Sequence, residues 1–147
     1  MTRLLVVAAL ILAFASASAG ATSASSKAGF FKTQNGRIYC GWGIGKQGFV
    51  VCGIKNGKLN PKPKNNCKHV DYVGNRIAFT SKSKARVQAC AGDAGPFANP
   101  NATTTLAAGK KWAKGGFSCS ATKSSVTCKN PAKHSFTINT NGKYTLT

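Results

Sequence analysis

The sequence predicts a mostly β domain, built as a small antiparallel sandwich or barrel-like sheet and stabilised by disulfide bridges. Apolar residues alternate with polar ones in short runs from residue 30 onward, as expected for strands with one buried face. Six cysteines stand within or near these runs. No apolar stripe of helical spacing continues for three turns. The pattern accommodates about seven or eight strands.

The N-terminal residues have the pattern of a secretory signal peptide. Arg3 supplies a positive charge, residues 4–14 form an apolar run of 11, and Ala17 and Ala19 are the small residues that a signal peptidase recognises. A membrane-spanning helix needs about 20 apolar residues. The sequence therefore predicts a cleaved signal at residues 1–19, no transmembrane anchor and a secreted or extracytoplasmic protein. Residues 20–29 are predicted to be a flexible lead-in to a single domain at residues 30–147.

The first predicted hairpin contains two alternating runs around a glycine-rich turn at residues 43–48. Its apolar positions are Ile38, Cys40, Trp42, Val50, Cys52 and Ile54. Antiparallel pairing of the two runs places both cysteines on the apolar face, which predicts a Cys40–Cys52 bridge.

A similar unit recurs near the C-terminus, where Phe117 and Cys119 face Val126 and Cys128 across a turn at residues 121–125. This unit predicts a Cys119–Cys128 bridge. By elimination, Cys67 pairs with Cys90. A structural zinc site would favour a C-x2-C pair, which the sequence lacks, so an even cysteine count in a short exported chain indicates three disulfides.

Further strands are predicted at residues 76–80, 135–138 and 143–146. The last two are joined through Asn141-Gly142, a strong signal for a tight turn. Residues 60–68 and 91–105 are predicted to be loops, because they are rich in Pro, Asn, Gly and Thr.

The charge balance is extreme, because the 147 residues include 21 Lys or Arg and only two acidic residues, Asp71 and Asp93. Two-metal hydrolysis and carboxylate cages for Ca²⁺ need more acidic ligands than this. Loss of Arg3 with the signal leaves 20 basic and two acidic side chains, a net charge of +18. We therefore expect a non-enzymatic domain, without cofactor or metal, that associates with cell-wall polymers, extracellular nucleic acid or acidic membrane surfaces. A specific protein partner is left open.

Basic side chains that could bind such polyanions fall into three groups. They are Lys55, Lys58, Lys62, Lys64 and Lys68 in one loop-rich stretch; Lys82, Lys84 and Arg86, expected to alternate along one extended segment; and Lys110, Lys111 and Lys114 around Trp112. An aromatic ring beside cations can stack on a base or enter a lipid headgroup layer, although it can equally pack inward. Lysine outnumbers arginine, which favours diffuse attraction over bidentate recognition.

An enzymatic alternative depends on His69 and His134, the only histidines. Two imidazoles and a lysine are the equipment of a small metal-free ribonuclease, in which one imidazole accepts a proton while the other donates one. Asp71 and Asp93 could form a glycosidase pair. We favour structural or surface roles for all four residues.

Taken together, the residues resemble the DUF6636 family of small exported actinobacterial proteins of unknown function. The resemblance extends from about residue 31 to residue 146, with six cysteines in matching order. It rests on residues 35–40, 51–52, 90–93, 106–109, 116–119, 126–130 and 134–136. The resemblance implies an exported disulfide domain and supplies no activity.

Overall fold

The computed structural model describes residues 27–64, 67–68, 72–98 and 104–147. In these ranges the chain forms eleven strands, more than the seven or eight predicted. The strands are β1 (Ala28–Thr33), β2 (Ile38–Gly43), β3 (Phe49–Ile54), β4 (Tyr72–Thr80), β5 (Arg86–Ala91), β6 (Thr104–Leu106), β7 (Lys111–Lys114), β8 (Phe117–Ala121), β9 (Ser125–Lys129), β10 (Ser135–Asn139) and β11 (Tyr144–Leu146). A 3₁₀ turn spans Gly95–Phe97. Within the described ranges we find no helix with the length and hydrophobicity needed to cross a membrane.

The strands form two sheets, which confirms the predicted sandwich and not the barrel-like option. The first sheet has six strands in the order β5-β4-β3-β2-β1-β6, and the second has five in the order β11-β10-β9-β8-β7. Antiparallel pairing prevails, but β6 runs parallel to β1. The apolar sides of both sheets contribute to one core. In that core the Phe79 ring of the first sheet packs edge-on against Phe117 and Phe136 of the second.

All three predicted disulfides are present. Cys40 lies directly opposite Cys52 on the β2–β3 pair, and Cys119 lies directly opposite Cys128 on the β8–β9 pair. The Sγ atoms of Cys52 and Cys128 are 3.8 Å apart. The two cross-strand bridges therefore meet in the middle of the core. The third bridge links Cys67, in the loop before β4, to β5.

Several strands lie where the sequence predicted none. β1 begins at Ala28, inside the predicted lead-in, and β6 begins inside the predicted loop at residues 91–105. β5 and β7 were not predicted from the sequence either. Both are edge strands whose residues are exposed or half-buried, so they lack the strong apolar alternation that marks the central strands.

The outer side of the six-stranded sheet is partly covered by residues 92–98, which we call the cover segment. A Cβ atom added to Gly53 of β3 would lie 2.7 Å from the Phe97 ring, and one added to Gly41 of β2 would lie 3.6 Å from the Cα atom of Pro96. Glycine at these positions lets the cover segment lie directly on the strands.

Candidate functional site

The first basic group follows β3, and all five of its side chains are exposed to solvent. Its exposed lysines are Lys55, Lys58, Lys62, Lys64 and Lys68. The Lys55 ammonium lies 5.5 Å from the centre of the Tyr39 ring. The Asn60 amide donates a 2.9 Å hydrogen bond to the Gly142 carbonyl. The stretch is thereby attached to the β10–β11 turn.

Two further cations, missed by the sequence analysis, lie at the same end of the sandwich. The Lys55 amide donates to the Arg37 carbonyl at 2.9 Å, and the Asn35 side-chain amide donates to the Lys123 carbonyl at 2.8 Å. The Arg37 guanidinium lies 3.5 Å from the Thr140 carbonyl oxygen. Arg37 and Lys123 occur singly in hairpin turns, so no run of basic residues marks them. Their only sequence signal is a basic residue beside a predicted turn.

The prediction that the second basic group, Lys82, Lys84 and Arg86, lies along one extended segment was wrong. Residues 81–85 lie outside any strand, and Arg86 is the first residue of β5. The Thr80 amide donates to the Ser83 hydroxyl, and the Ser83 amide donates to the Thr80 hydroxyl. These side-chain bonds favour a turn over a continued strand. Lys82 and Lys84 are exposed on this turn.

The third basic group is divided by the alternation of β7. Trp112 points inward and is half-buried, with its ring centre 5.4 Å from that of Phe31 and 5.3 Å from that of Trp42. Lys111 points to the opposite side of the strand, while Lys110 is exposed just before it. The exposed Lys114 places its ammonium 4.7 Å from the Trp42 ring centre. The structure therefore separates Trp112 from Lys111, and the ring packs against the core.

The outward side of the five-stranded sheet is a polar surface that we call the hydroxyl face. It has seven hydroxyl side chains, one amide, two lysines and one alanine, and none of them is buried. Its members are Lys111, Ala113, Ser118, Ser120, Ser125, Thr127, Lys129, Ser135, Thr137, Asn139 and Thr145. Each alternates with a neighbour that faces the core or its edge, so the period of two in these strands builds the face.

The side chains of the hydroxyl face are arranged in rows across the sheet. One row crosses all five strands through Lys111, Ser120, Thr127, Thr137 and Thr145, which lie opposite one another in the strand register. Neighbouring strands are about 4.8 Å apart, so this row spans about 19 Å. The hydroxyls of Thr127 and Thr137 are 2.8 Å apart. The row offers regularly spaced donors and acceptors over the length of a short polymer segment.

The outer side of the six-stranded sheet holds a buried cation instead. The Arg76 side chain is only 2% exposed, although it lies on the outward side of β4, because the cover segment lies over it. Its guanidinium donates to an Asp93 carboxylate oxygen at 2.8 Å and also to the Asp93 backbone carbonyl. The same group lies over the Phe97 ring, with its central carbon 5.7 Å from the ring centre. Arg76 thereby fixes the cover segment at two points.

A groove of about 710 Å³ lies between the cover segment and β5. Val51, Ala78 and Phe49 line its apolar part, and the Phe49 side chain is 42% exposed. Arg86 of β5 borders the groove on one side, and Asp93 borders it on the other. The groove is concave and its exposed lining is more apolar than polar, as in many small-molecule sites. Its other polar side chains are Arg76, Thr80, Ser83 and Gln88.

The structure places His134 in the turn before β10, where it is half-buried. The His134 amide donates to the Asn130 side-chain oxygen at 2.9 Å, and the Asn130 side-chain nitrogen donates to the carbonyls of Thr80 and Ser83. The backbone of His134 thus belongs to a junction between two turns. His69 and Asp71 lie outside the described residues, so both the ribonuclease hypothesis and the carboxylate pair stay predictions.

Three cysteine sulfurs come close enough together to resemble a metal site. The Sγ atoms of Cys40, Cys52 and Cys128 all lie within 4.8 Å of one another. Metal ions bind cysteine as the thiolate, whereas each of these sulfurs is already bonded in a disulfide. Their proximity follows from the contact between the two bridges in the core.

Comparison with known proteins gives one match. The model of the DUF6636 family, a family of unknown function, matches residues 6–145. No curated protein and no solved structure matches the chain. Because the family match extends over residues 6–145 and includes all six cysteines and nearly every strand, the chain belongs to the DUF6636 family.

Proposed function

We propose that this protein is a secreted, non-enzymatic domain that associates with anionic polymers, such as cell-wall polymers, extracellular nucleic acid or an acidic membrane surface. The observation that carries the proposal is the hydroxyl face. It combines two ammonium groups with seven hydroxyls over five strands and has no carboxylate. Ammonium groups attract phosphate or sulfate groups as point charges, while hydroxyls donate hydrogen bonds to their oxygens.

The remaining charges support the same partner class. Asp93 is the one described residue with a side-chain carboxylate, and it is bound to Arg76. The lysines of the described ranges therefore have no side-chain carboxylate to pair with, in a chain whose net charge is +19. Binding of a polyanion to such a surface releases condensed counterions from the polymer, which favours association.

The hydroxyl face also indicates how the polymer would be bound. None of its eleven members is aromatic, so it has no ring on which a base or sugar could stack. Its cations are lysines and not the planar arginine fork that recognises base edges bidentately. We therefore expect contacts to the charged backbone of an extended polymer, without recognition of its sequence.

The first experiment measures binding of the mature protein to heparin, to duplex DNA and to a poly(glycerol phosphate) oligomer at increasing salt. If about five lysines engage phosphates, the logarithm of the affinity for DNA should fall with the logarithm of salt at a slope of about −4 to −5. A flat salt response, or no binding to any of the three polymers at low salt, would contradict the proposal.

A matched pair of variants locates the contact surface. The double variant Lys111→Gln/Lys129→Gln removes the cations of the hydroxyl face, whereas Lys82→Gln/Lys84→Gln removes two exposed cations from the β4–β5 turn. Both lower the net charge by the same amount. We expect the hydroxyl-face variant to reduce the salt slope by about 2, with a smaller change in the turn variant. A larger loss in the turn variant would move the binding surface away from the hydroxyl face.

A further inference from the structure

We infer that the groove between the cover segment and β5 is a binding site for one amphiphilic monoanion, namely an apolar chain or ring system that carries a carboxylate. The site is separate from the hydroxyl face, because it lies on the outer side of the other sheet. Its function would therefore be additional to the proposed association with anionic polymers.

The apolar part of this site is preformed. Phe49 is one of the two large apolar side chains among the described residues that stay clearly exposed. A Cβ atom added to Gly43 would lie 2.6 Å from the Phe49 ring, so the ring rests directly on the backbone of β2. Beside it, Val51 and Ala78 continue the apolar lining. An apolar body placed here would cover surface that water now contacts, which favours binding.

The wall formed by the cover segment is also fixed before any ligand arrives. Arg76 binds both the carboxylate and the backbone carbonyl of Asp93, and the Phe97 ring packs at 5.8 Å from the Tyr39 ring centre. Because Gly53 lets Phe97 approach β3 closely, the wall has a firm contact at each end. A preformed site loses little conformational entropy on binding.

Charge complementarity selects the head group. Arg86 borders the groove, is exposed and has no carboxylate partner among the described residues, while Gln88 beside it offers an amide donor. An arginine fork matches the two oxygens of a carboxylate. Arg76 also lines the groove, but its charge is compensated by the carboxylate of Asp93, so Arg86 supplies the one uncompensated charge of the described lining. These groups together favour a monoanion over a dianionic phosphate. The cavity volume of about 710 Å³ falls within the range of about 300–1,000 Å³ that is usual for small-molecule sites.

The test titrates the mature protein with octanoate and, separately, with 1-octanol, and follows the backbone amide signals by NMR. We expect saturable one-to-one binding of octanoate with shifts concentrated in β3–β5 and residues 92–98. The alcohol should bind about 10-fold more weakly, since the charge-assisted contact with Arg86 is lost. Equal affinity for the acid and the alcohol, or octanoate shifts confined to other surfaces, would overturn the inference.

Two variants and a control complete the experiment. Arg86→Gln should weaken octanoate binding by about 10-fold, and Phe49→Gln should weaken the binding of both ligands. The control Lys84→Gln removes the same charge outside the groove and should change the affinity for octanoate by less than about 2-fold. Equal weakening by Arg86→Gln and Lys84→Gln would show diffuse attraction and overturn the site. A saturating amount of heparin should leave octanoate bound, because the two ligands would occupy different sheets. The polymer proposal and the groove proposal can therefore fail independently of each other. Vesicles that bind while free octanoate does not would assign the groove to a membrane surface and contradict the inference.

Discussion

The two sheets of this sandwich share one core, but their outer sides differ: one is partly covered and the other is open to solvent. On the six-stranded sheet, the outward positions of β2 and β3 include Gly41, Val51 and Gly53, and the cover segment lies over part of them. On the five-stranded sheet, the outward positions form the hydroxyl face, which meets solvent directly. The difference explains why the groove lies on the six-stranded sheet, where the cover segment supplies a second wall.

This contrast has an energetic consequence. The covered side depends on close contacts and on one ion pair, in which Arg76 is buried while the Asp93 side chain is 81% exposed. The hydroxyl face obtains its hydrogen bonds from neighbouring side chains and water, so single changes there leave no buried polar group without a partner. We therefore expect substitutions on the covered side to change the stability of the fold. Substitutions on the hydroxyl face should change only the affinity for anionic polymers.

The largest effect should follow from Arg76→Ala. The substitution removes two charge-assisted contacts to Asp93 and leaves a cavity under the cover segment, so the free energy of unfolding should fall by about 3 kcal/mol. Chemical denaturation followed by tryptophan fluorescence would measure it.

Lys129→Ala is the matched control for Arg76→Ala, because it removes a cation from an exposed outward position of β9. Its effect on the free energy of unfolding should stay within about 0.5 kcal/mol. If both variants changed stability by the same small amount, the cover segment would not depend on Arg76, and the contrast between the two sides would fail.

A smaller loss is expected from Gly53→Ala. The new methyl group would lie 2.7 Å from the Phe97 ring and 3.0 Å from the Asn75 carbonyl oxygen. Relief of these contacts requires displacement of the cover segment and of the β4 backbone, so the free energy of unfolding should fall by about 1–3 kcal/mol. Thermal unfolding of the two proteins at the same pH and salt would measure the difference.

Gly92→Ala provides the comparison for Gly53→Ala, since nothing lies within 4 Å of a Cβ atom at residue 92. The alanine there should leave stability unchanged or raise it by up to about 1 kcal/mol, because it restricts the unfolded chain. Destabilisation of equal size in both variants would show that the effect comes from glycine replacement in general and not from contact with Phe97.

The central strands and the disulfides could be predicted from the sequence because both depend on local alternation. Cys40 and Cys52 fall at the same phase of two neighbouring apolar runs, as do Cys119 and Cys128. Such a phase fixes both the face and the cross-strand partner. The edge strands β5 and β7 could not be found in this way. Their residues are exposed or half-buried, so they lack the strong apolar alternation of the central strands.

The candidate surfaces could be predicted only in part. Lys111 was among the predicted basic residues, but Lys129, which shares its face, belongs to none of the three predicted groups. Grouping along the sequence was therefore misleading. The groove depends on Asp93 reaching Arg76 across 17 positions of the chain. Neither residue has a sequence pattern that marks this pairing. Long-range contacts of this kind are decided by the topology of the sheet and not by local spacing.

The smallest effect on stability should come from Thr127→Val/Thr137→Val, and it separates the two roles of the hydroxyl face. The double variant removes a pair of hydroxyls 2.8 Å apart while keeping two β-branched side chains on neighbouring strands, so the free energy of unfolding should change by less than about 0.5 kcal/mol. Affinity for anionic polymers should fall by about 2- to 3-fold, because hydrogen bonds to the polymer are lost. The salt slope should not change, since no charge is removed. A change in slope without a change in low-salt affinity would mean that these hydroxyls only position nearby lysines, whereas no change in either quantity would leave the lysines as the sole binding groups of the face.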